Sequence, residues 1–147
     1  MSFPIVVAEV SANHLGSQHK ASALVRAIAA AGIKYVKFQT YTADTMTIDH
    51  DGPQFRIGAD HELWGGRSLY SLYQEAHTPW EWHAELFRLS RELGMVPFSS
   101  PFDVSAVEFL ETLQPEMYKV ASMEIGDVSL IKRIAQTGRP IVISTGT

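Results

Sequence analysis

Cysteine is absent from the 147 residues, so the chain can build neither a disulfide framework nor a thiolate metal site. No stretch approaches the roughly 20 consecutive apolar residues that a membrane-spanning helix requires. The start, MSFPIVVAEV, carries no basic segment followed by a long apolar run. Charge is sparse: 19% of residues are Asp, Glu, Lys or Arg and the formal net charge is −4, which argues against a strongly basic nucleic-acid binder and against charge-driven disorder. A cytoplasmic protein with no nucleic-acid or membrane partner is the expectation. The six histidines form no HxH or HExxH pair, so no metal site can be assembled from the sequence. The turn after the first apolar run, SANHLGS, holds one glycine, where a dinucleotide-binding sheet would carry GxGxxG.

What is present is an alternation. Short, β-branched runs at residues 4–10, 34–40, 95–100, 117–122 and 140–145 are almost continuously hydrophobic, the pattern of strands covered on both faces. Between the first two, Ala21, Leu24, Val25, Ile28 and Ala29 recur at helical spacing before Gly32. A helix is predicted from Thr78 to Gly94, opened by a Thr78/Glu81 capping box with Pro79 at its first position. Asp103 and Asp127 each precede a further helical pattern as N-caps. Strand and helix in strict alternation predict an α/β fold with parallel strands and right-handed crossovers.

Polar residues gather where these strands end: Glu9, Asn13 and His14; Lys37 and Gln39; Ser99 and Ser100; Ser122 and Glu124; Ser144 and Thr145. A (β/α)8 barrel places its functional groups at those ends, and the barrel is the predicted fold. Five strands are present where eight in about 250 residues are typical, so the chain reads as the N-terminal part of a TIM barrel, about five β/α units. Residues 41–77 form an insertion far longer than an ordinary connection, suited equally to a wall of the site and to a decorative excursion.

Lys37, in YVKFQT, and Lys119, in MYKVAS, sit inside apolar strands. An unpaired buried ammonium costs several kcal/mol, so each needs a carboxylate, an anion or a lowered pKa. Two uses fit: a phosphate or carboxylate clamp with the hydroxyls of Ser100, Ser122 and Ser144, or a Schiff-base lysine. Glu9 and Glu124 suit proton transfer, with an ion pair to the lysines as the plain alternative. Gln39 shares a strand face with Lys37. For His83 a surface or capped role outweighs metal ligation, and Trp64, Trp80 and Trp82 are read as packing aromatics before a stacking surface.

The motifs AEVSANHLGS, YVKFQTY, PFSSPFD, YKVASMEIGD and PIVISTGT, in this order and spacing, resemble the N-acetylneuraminate synthase family over essentially the whole chain. SANH, KFQTYTAD and LWGGRSLYSLYQEAHTPWEWH are similar to its pseudaminic acid synthase branch. The resemblance implies condensation of phosphoenolpyruvate (PEP) with an N-acetylated amino sugar, 2,4-diacetamido-2,4,6-trideoxy-altrose, to give a nonulosonic acid and phosphate. It implies that Lys37 and Lys119 bind PEP, that Ser100, Ser122 and Ser144 line the phosphate site, and that Glu9, Gln39 and Glu124 surround the sugar and reacting carbons. Glu9 and Glu124 are the catalytic candidates. The Schiff-base aldolase becomes the second reading, and a non-catalytic half-barrel that self-associates through its sheet edges the third. A divalent metal, Mn2+ or Mg2+, is implied as Lewis acid and carrier of the attacking water, with its histidine ligands on later strands, and a homodimer is implied as well. Those strands and a C-terminal antifreeze-like domain do not occur among these 147 residues, so the expectation is a truncated synthase that binds PEP weakly and does not turn over alone.

Overall fold

In the computed structural model, residues 4–61 and 64–146 are described; Glu62 and Leu63 of the long insertion and Thr147 of the last motif lie outside them. Five strands, β1 (Val7–Glu9), β2 (Tyr35–Thr40), β3 (Val96–Pro101), β4 (Tyr118–Val120) and β5 (Ile141–Ile143), form one all-parallel sheet in the order β1-β2-β3-β4-β5. That order separates the two α/β architectures. A doubly wound sheet reverses its strand order at a switch point, whereas a barrel adds each strand beside the last.

The helices are α1 (Gln18–Ala30), α2 (Ala43–Met46), α3 (Leu69–Ala76), α4 (Trp80–Glu92), α5 (Val104–Thr112) and α6 (Val128–Ala135). Val25 of α1, Leu86, Phe87 and Leu89 of α4, Val107 and Leu110 of α5, and Leu130 and Ile134 of α6 share one core with Val36, Phe38, Tyr118 and Val120 of the strands. Those strand positions are alternate residues, so one face of the sheet carries the helices and the other is concave.

The helix starts depend on named side chains. Asp103 accepts from the backbone N–H of Ser105 and Ala106, Asp127 from that of Leu130, and Ser17 from that of Lys20; loss of such a cap costs about 1 kcal/mol. The capping box expected at Thr78 is not formed. Pro79 is itself the N-cap of α4, without a side-chain cap, and the Thr78 hydroxyl is engaged by His14, 64 residues away. A tertiary partner outcompetes the local one.

Coverage of the strands on both faces is also corrected. β2 alternates buried and half-buried residues. The outer strands are open, with Val7, Val142 and Ile143 all more than 40% exposed, because an edge strand on the concave side has fewer neighbours. The insertion after β2 folds over the C-terminal end of the sheet through α2, a 3-10 turn (Pro53–Phe55) and α3. Its root is tied down by Tyr41, buried edge-on to Tyr73 and Phe102, and by the Tyr70 hydroxyl donating to Asp44.

Candidate functional site

Lys37 is explained by the pleat. Val36, Phe38 and Thr40 turn into the helix-covered core, so Tyr35, Lys37 and Gln39 turn to the concave face. Glu9 of β1 lies in register with Lys37 of β2. The ammonium meets Glu9 Oε1 at 2.5 Å, with the lysine side chain 13% and the glutamate 42% exposed.

Lys119 has the same placement. Tyr118 and Val120 are buried to either side of it, and its Nζ donates to the Val120 carbonyl at 2.5 Å and to Ser144 Oγ at 2.6 Å. Burial lowers its pKa, and the charge of Lys37 lowers it further, against the opposing carboxylates of Glu9 and Glu124. Four charged groups from three strands and one loop therefore share a single electrostatic field.

Glu124 stands in the 3-10 turn (Ser122–Gly126) that follows β4. Its Oε2 is buried without a hydrogen-bond partner, and burial pushes its carboxyl pKa up. Ser122 opens the same turn and is exposed. Ser100, 2% exposed, faces Gln39 across the β2/β3 register. Gln39 Oε1 accepts a hydrogen bond from Ser11 Oγ at 2.9 Å. The structure thus gathers Glu9, Lys37, Lys119, Glu124 and Ser144 into one cluster, sets Gln39 and Ser100 opposite each other on neighbouring strands, and leaves Ser122 exposed in the turn that carries Glu124.

Below the lysines the concave face holds a cavity of about 370 Å3, lined by Ile5, Val7, Tyr35, Lys37, Phe98, Met117, Lys119 and Val142. Its walls are almost wholly apolar, and the interior of a barrel below the strand ends is packing space. The charged and hydroxyl groups named above lie on the rim over it.

The histidines do other work. His83 Nδ1 faces the Pro79 carbonyl at 3.2 Å, which can only accept, so Nδ1 bears the proton and Nε2 accepts from Thr40 Oγ1 at 2.9 Å. Ser99 Oγ then donates to Thr40 at 2.7 Å. Burial pushes the His83 pKa down to about 4, and both ring nitrogens are used, so His83 is a neutral core residue. His14 is equally buried. Its Nδ1 accepts from the Gly16 N–H, its Nε2 meets Thr78 Oγ1, and burial and then the charge of His77 lower its pKa. Among the described residues no group of three or more His, Asp or Glu side chains is placed to hold a metal, so the divalent ion implied by the resemblance finds no ligand set among them.

The tryptophans pack. Trp80 stacks on Phe109 and donates to the Tyr41 carbonyl, Trp82 meets His14 edge-on, and Trp64 lies under Arg67. Ser11 is absent from the candidates read off the sequence. Its only signal was a serine next to Asn13 and His14 in the first loop, and that it reaches Gln39 depends on strand register.

Comparison with known proteins bears on the same residues. The chain is 48% identical over 143 residues to pseudaminic acid synthase of Helicobacter pylori, covering 97% of this chain and 42% of that protein. It is 42% identical over 141 residues to pseudaminic acid synthase of Campylobacter jejuni, covering 96% and 40%. It therefore spans about two fifths of the length of these relatives. Among solved structures, a spore coat polysaccharide biosynthesis protein from Bacillus subtilis superposes with a TM-score of 0.72 at 32% identity, covering 99% of this chain and 37% of that one. An N-acetylneuraminic acid synthetase from Leptospira borgpetersenii superposes at 0.81 with 23% identity, covering 97% and 45%, and so speaks for the fold alone. With residues 24–147 matching the family itself, and with five parallel strands added in barrel order, the chain belongs to the NeuB family.

Proposed function

We propose that the chain forms the PEP-binding, N-terminal part of a nonulosonic acid synthase of the pseudaminic type. The observation that carries this reading is the pair of strand lysines, Lys37 and Lys119, held on one concave face with the Ser144 hydroxyl bonded to the second. Two ammonium groups and nearby hydroxyls are donors suited to the oxygens of a phosphate and a carboxylate on one small molecule. The names of the relatives supply the sugar class, and 2,4-diacetamido-2,4,6-trideoxy-altrose is the proposed acceptor.

In this reading Lys37 and Lys119 grip PEP, and Ser100, Ser122 and Ser144 donate to its phosphate oxygens. C3 of PEP bonds to the aldehyde carbon of the open-chain sugar, the aldehyde oxygen takes a proton, and positive charge develops at C2. Water adds at C2 and loses a proton, and the C–O bond to phosphate then breaks to leave the 2-oxo acid. Glu124, with an unpartnered oxygen and a raised pKa, is the group proposed to face the cationic C2 and to exchange the proton. Glu9, paired with Lys37, supports the lysine and faces the sugar side. Turnover is proposed to need sequence beyond these residues. A cytoplasmic, homodimeric enzyme using a divalent metal is the accompanying expectation.

Calorimetric titration of the 147-residue chain with PEP tests the reading. Saturable binding that inorganic phosphate competes away is the expected result; its absence overturns the proposal. The lowered pKa of Lys119 also favours a second reading, a Schiff-base lysine. Borohydride trapping of a pyruvate adduct on Lys119 would establish that chemistry, and an unmodified intact mass would remove it.

A further inference from the structure

Ser11 has a backbone conformation that a serine does not take by default. It follows Val10 directly after β1, opens a 3-10 turn (Ser11–His14), and has φ +43°, in the left-handed region that favours glycine. Its hydroxyl from that position spans 28 residues of sequence to donate to Gln39 Oε1 at 2.9 Å.

The consequence is for the other end of the amide. With Oε1 held by Ser11, the two N–H donors are the end of the Gln39 amide left for another partner, on a residue that shares its strand face with Lys37. Ser100 lies opposite in register. The rim beside Gln39 therefore offers donors, a charge of the same sign from Lys37, and a hydroxyl.

Resting on the functional reading given above, we propose that Ser11 is a positioning residue. It locks the Gln39 amide with its NH2 toward the site, and so selects a substrate that presents an acceptor oxygen there. That oxygen belongs either to the carboxylate or phosphate of PEP or to an acetamido carbonyl of the sugar.

The test uses the full 147-residue chain, labelled with 15N, and follows the Gln39 side-chain amide pair by NMR during titration with PEP and, separately, with the diacetamido sugar. S11G removes the hydroxyl and suits φ +43°, so its urea midpoint stays close to wild type. Its Gln39 amide pair moves in the absence of ligand, and affinity falls about fivefold for one of the two ligands, the loss expected for one well-placed hydrogen bond. S11N, which tolerates a left-handed backbone and carries an N–H donor, restores both. Loss for PEP alone assigns the carboxylate or phosphate oxygen, and loss for the sugar alone assigns the acetamido carbonyl. Unchanged affinity for both ligands overturns the proposal. If the wild-type chain binds neither ligand, the functional reading falls, and the Ser11 assignment is then decided by the ligand-free spectra: an amide pair that S11G leaves unmoved overturns it.

Discussion

The two faces of the sheet treat polar side chains in opposite ways, although neighbouring residues of the same strands supply both. On the helix-covered face, Ser99, Thr40 and His83 form a closed chain that ends on the Pro79 carbonyl, each donor matched to an acceptor. On the concave face, Glu9, Lys37, Lys119 and Ser144 are paired, Glu124 Oε2 has no partner, and burial lowers the pKa of Lys119, with the charge of Lys37 adding to it, and raises that of Glu124. A polar group sealed among helices must satisfy itself internally. A group at a strand end can keep unused capacity for a ligand. The difference separates a face that satisfies its polar groups internally from one that leaves polar capacity unused.

Removing His83 should break the comparison most severely. H83A deletes a ring packed against Phe38, Phe87 and Phe109 and strands the Thr40 hydroxyl, at a cost of about 3–5 kcal/mol in urea unfolding. A loss under about 1 kcal/mol would show that the chain contributes nothing to stability.

Acid probes the same face without mutation. His83 is depressed from 6.5 to about 4, so its contribution is fully present above pH 6.5, is lost as pH falls toward 4, and amounts to about 3 kcal/mol. His14, also lowered, acts in the same direction. Urea midpoints measured from pH 7.5 to 4 should fall across that window, and less so in H83Q; identical slopes in the two proteins would contradict the assignment.

A milder cut at the same face is T40V, which leaves His83 Nε2 and Ser99 without their shared partner and should cost about 1–3 kcal/mol. On the concave face the pattern should invert. K119M is expected to change stability by less than about 1 kcal/mol while weakening PEP about tenfold, the loss of a charged hydrogen-bonding group. Equal damage to folding and to binding would erase the distinction between the faces.

The smallest effect belongs to Glu124. Its pKa is raised in the folded chain, so the ionised carboxylate opposes folding increasingly as pH rises above its ordinary value near 4.5. E124Q should be as stable as wild type at pH 4 and slightly more stable at pH 8, by less than about 1 kcal/mol given its solvent exposure. Destabilisation at pH 8 would mean that the attraction of Lys119 for the carboxylate outweighs the effect of its burial.

Much of this was legible in the residues. The strand and helix alternation, the Asp103 and Asp127 caps, and the anomaly of Lys37 and Lys119 are local signals, set by hydrophobic period and by the chemistry of a few neighbouring atoms. Thr78 shows the limit. It has the local pattern of a helix cap, but its hydroxyl is used by His14, and no window of sequence contains both. Ser99 and Ser100 show another. They are adjacent and both buried, but one completes the His83 chain and the other lies beside Gln39, a division made by the pleat and by the β2/β3 register.

The α/β class and its barrel order, the family, the placement of two lysines within strands and the ends of α1, α4, α5 and α6 follow from the residues alone, through periodicity, capping chemistry and motif spacing. Three-dimensional packing was needed to settle which glutamate pairs with Lys37, to leave an oxygen of Glu124 unpartnered, and to bring Ser11 onto Gln39. The Lys37 and Gln39 contacts each join residues 28 positions apart, which the parallel register of β1 and β2 brings within hydrogen-bonding reach.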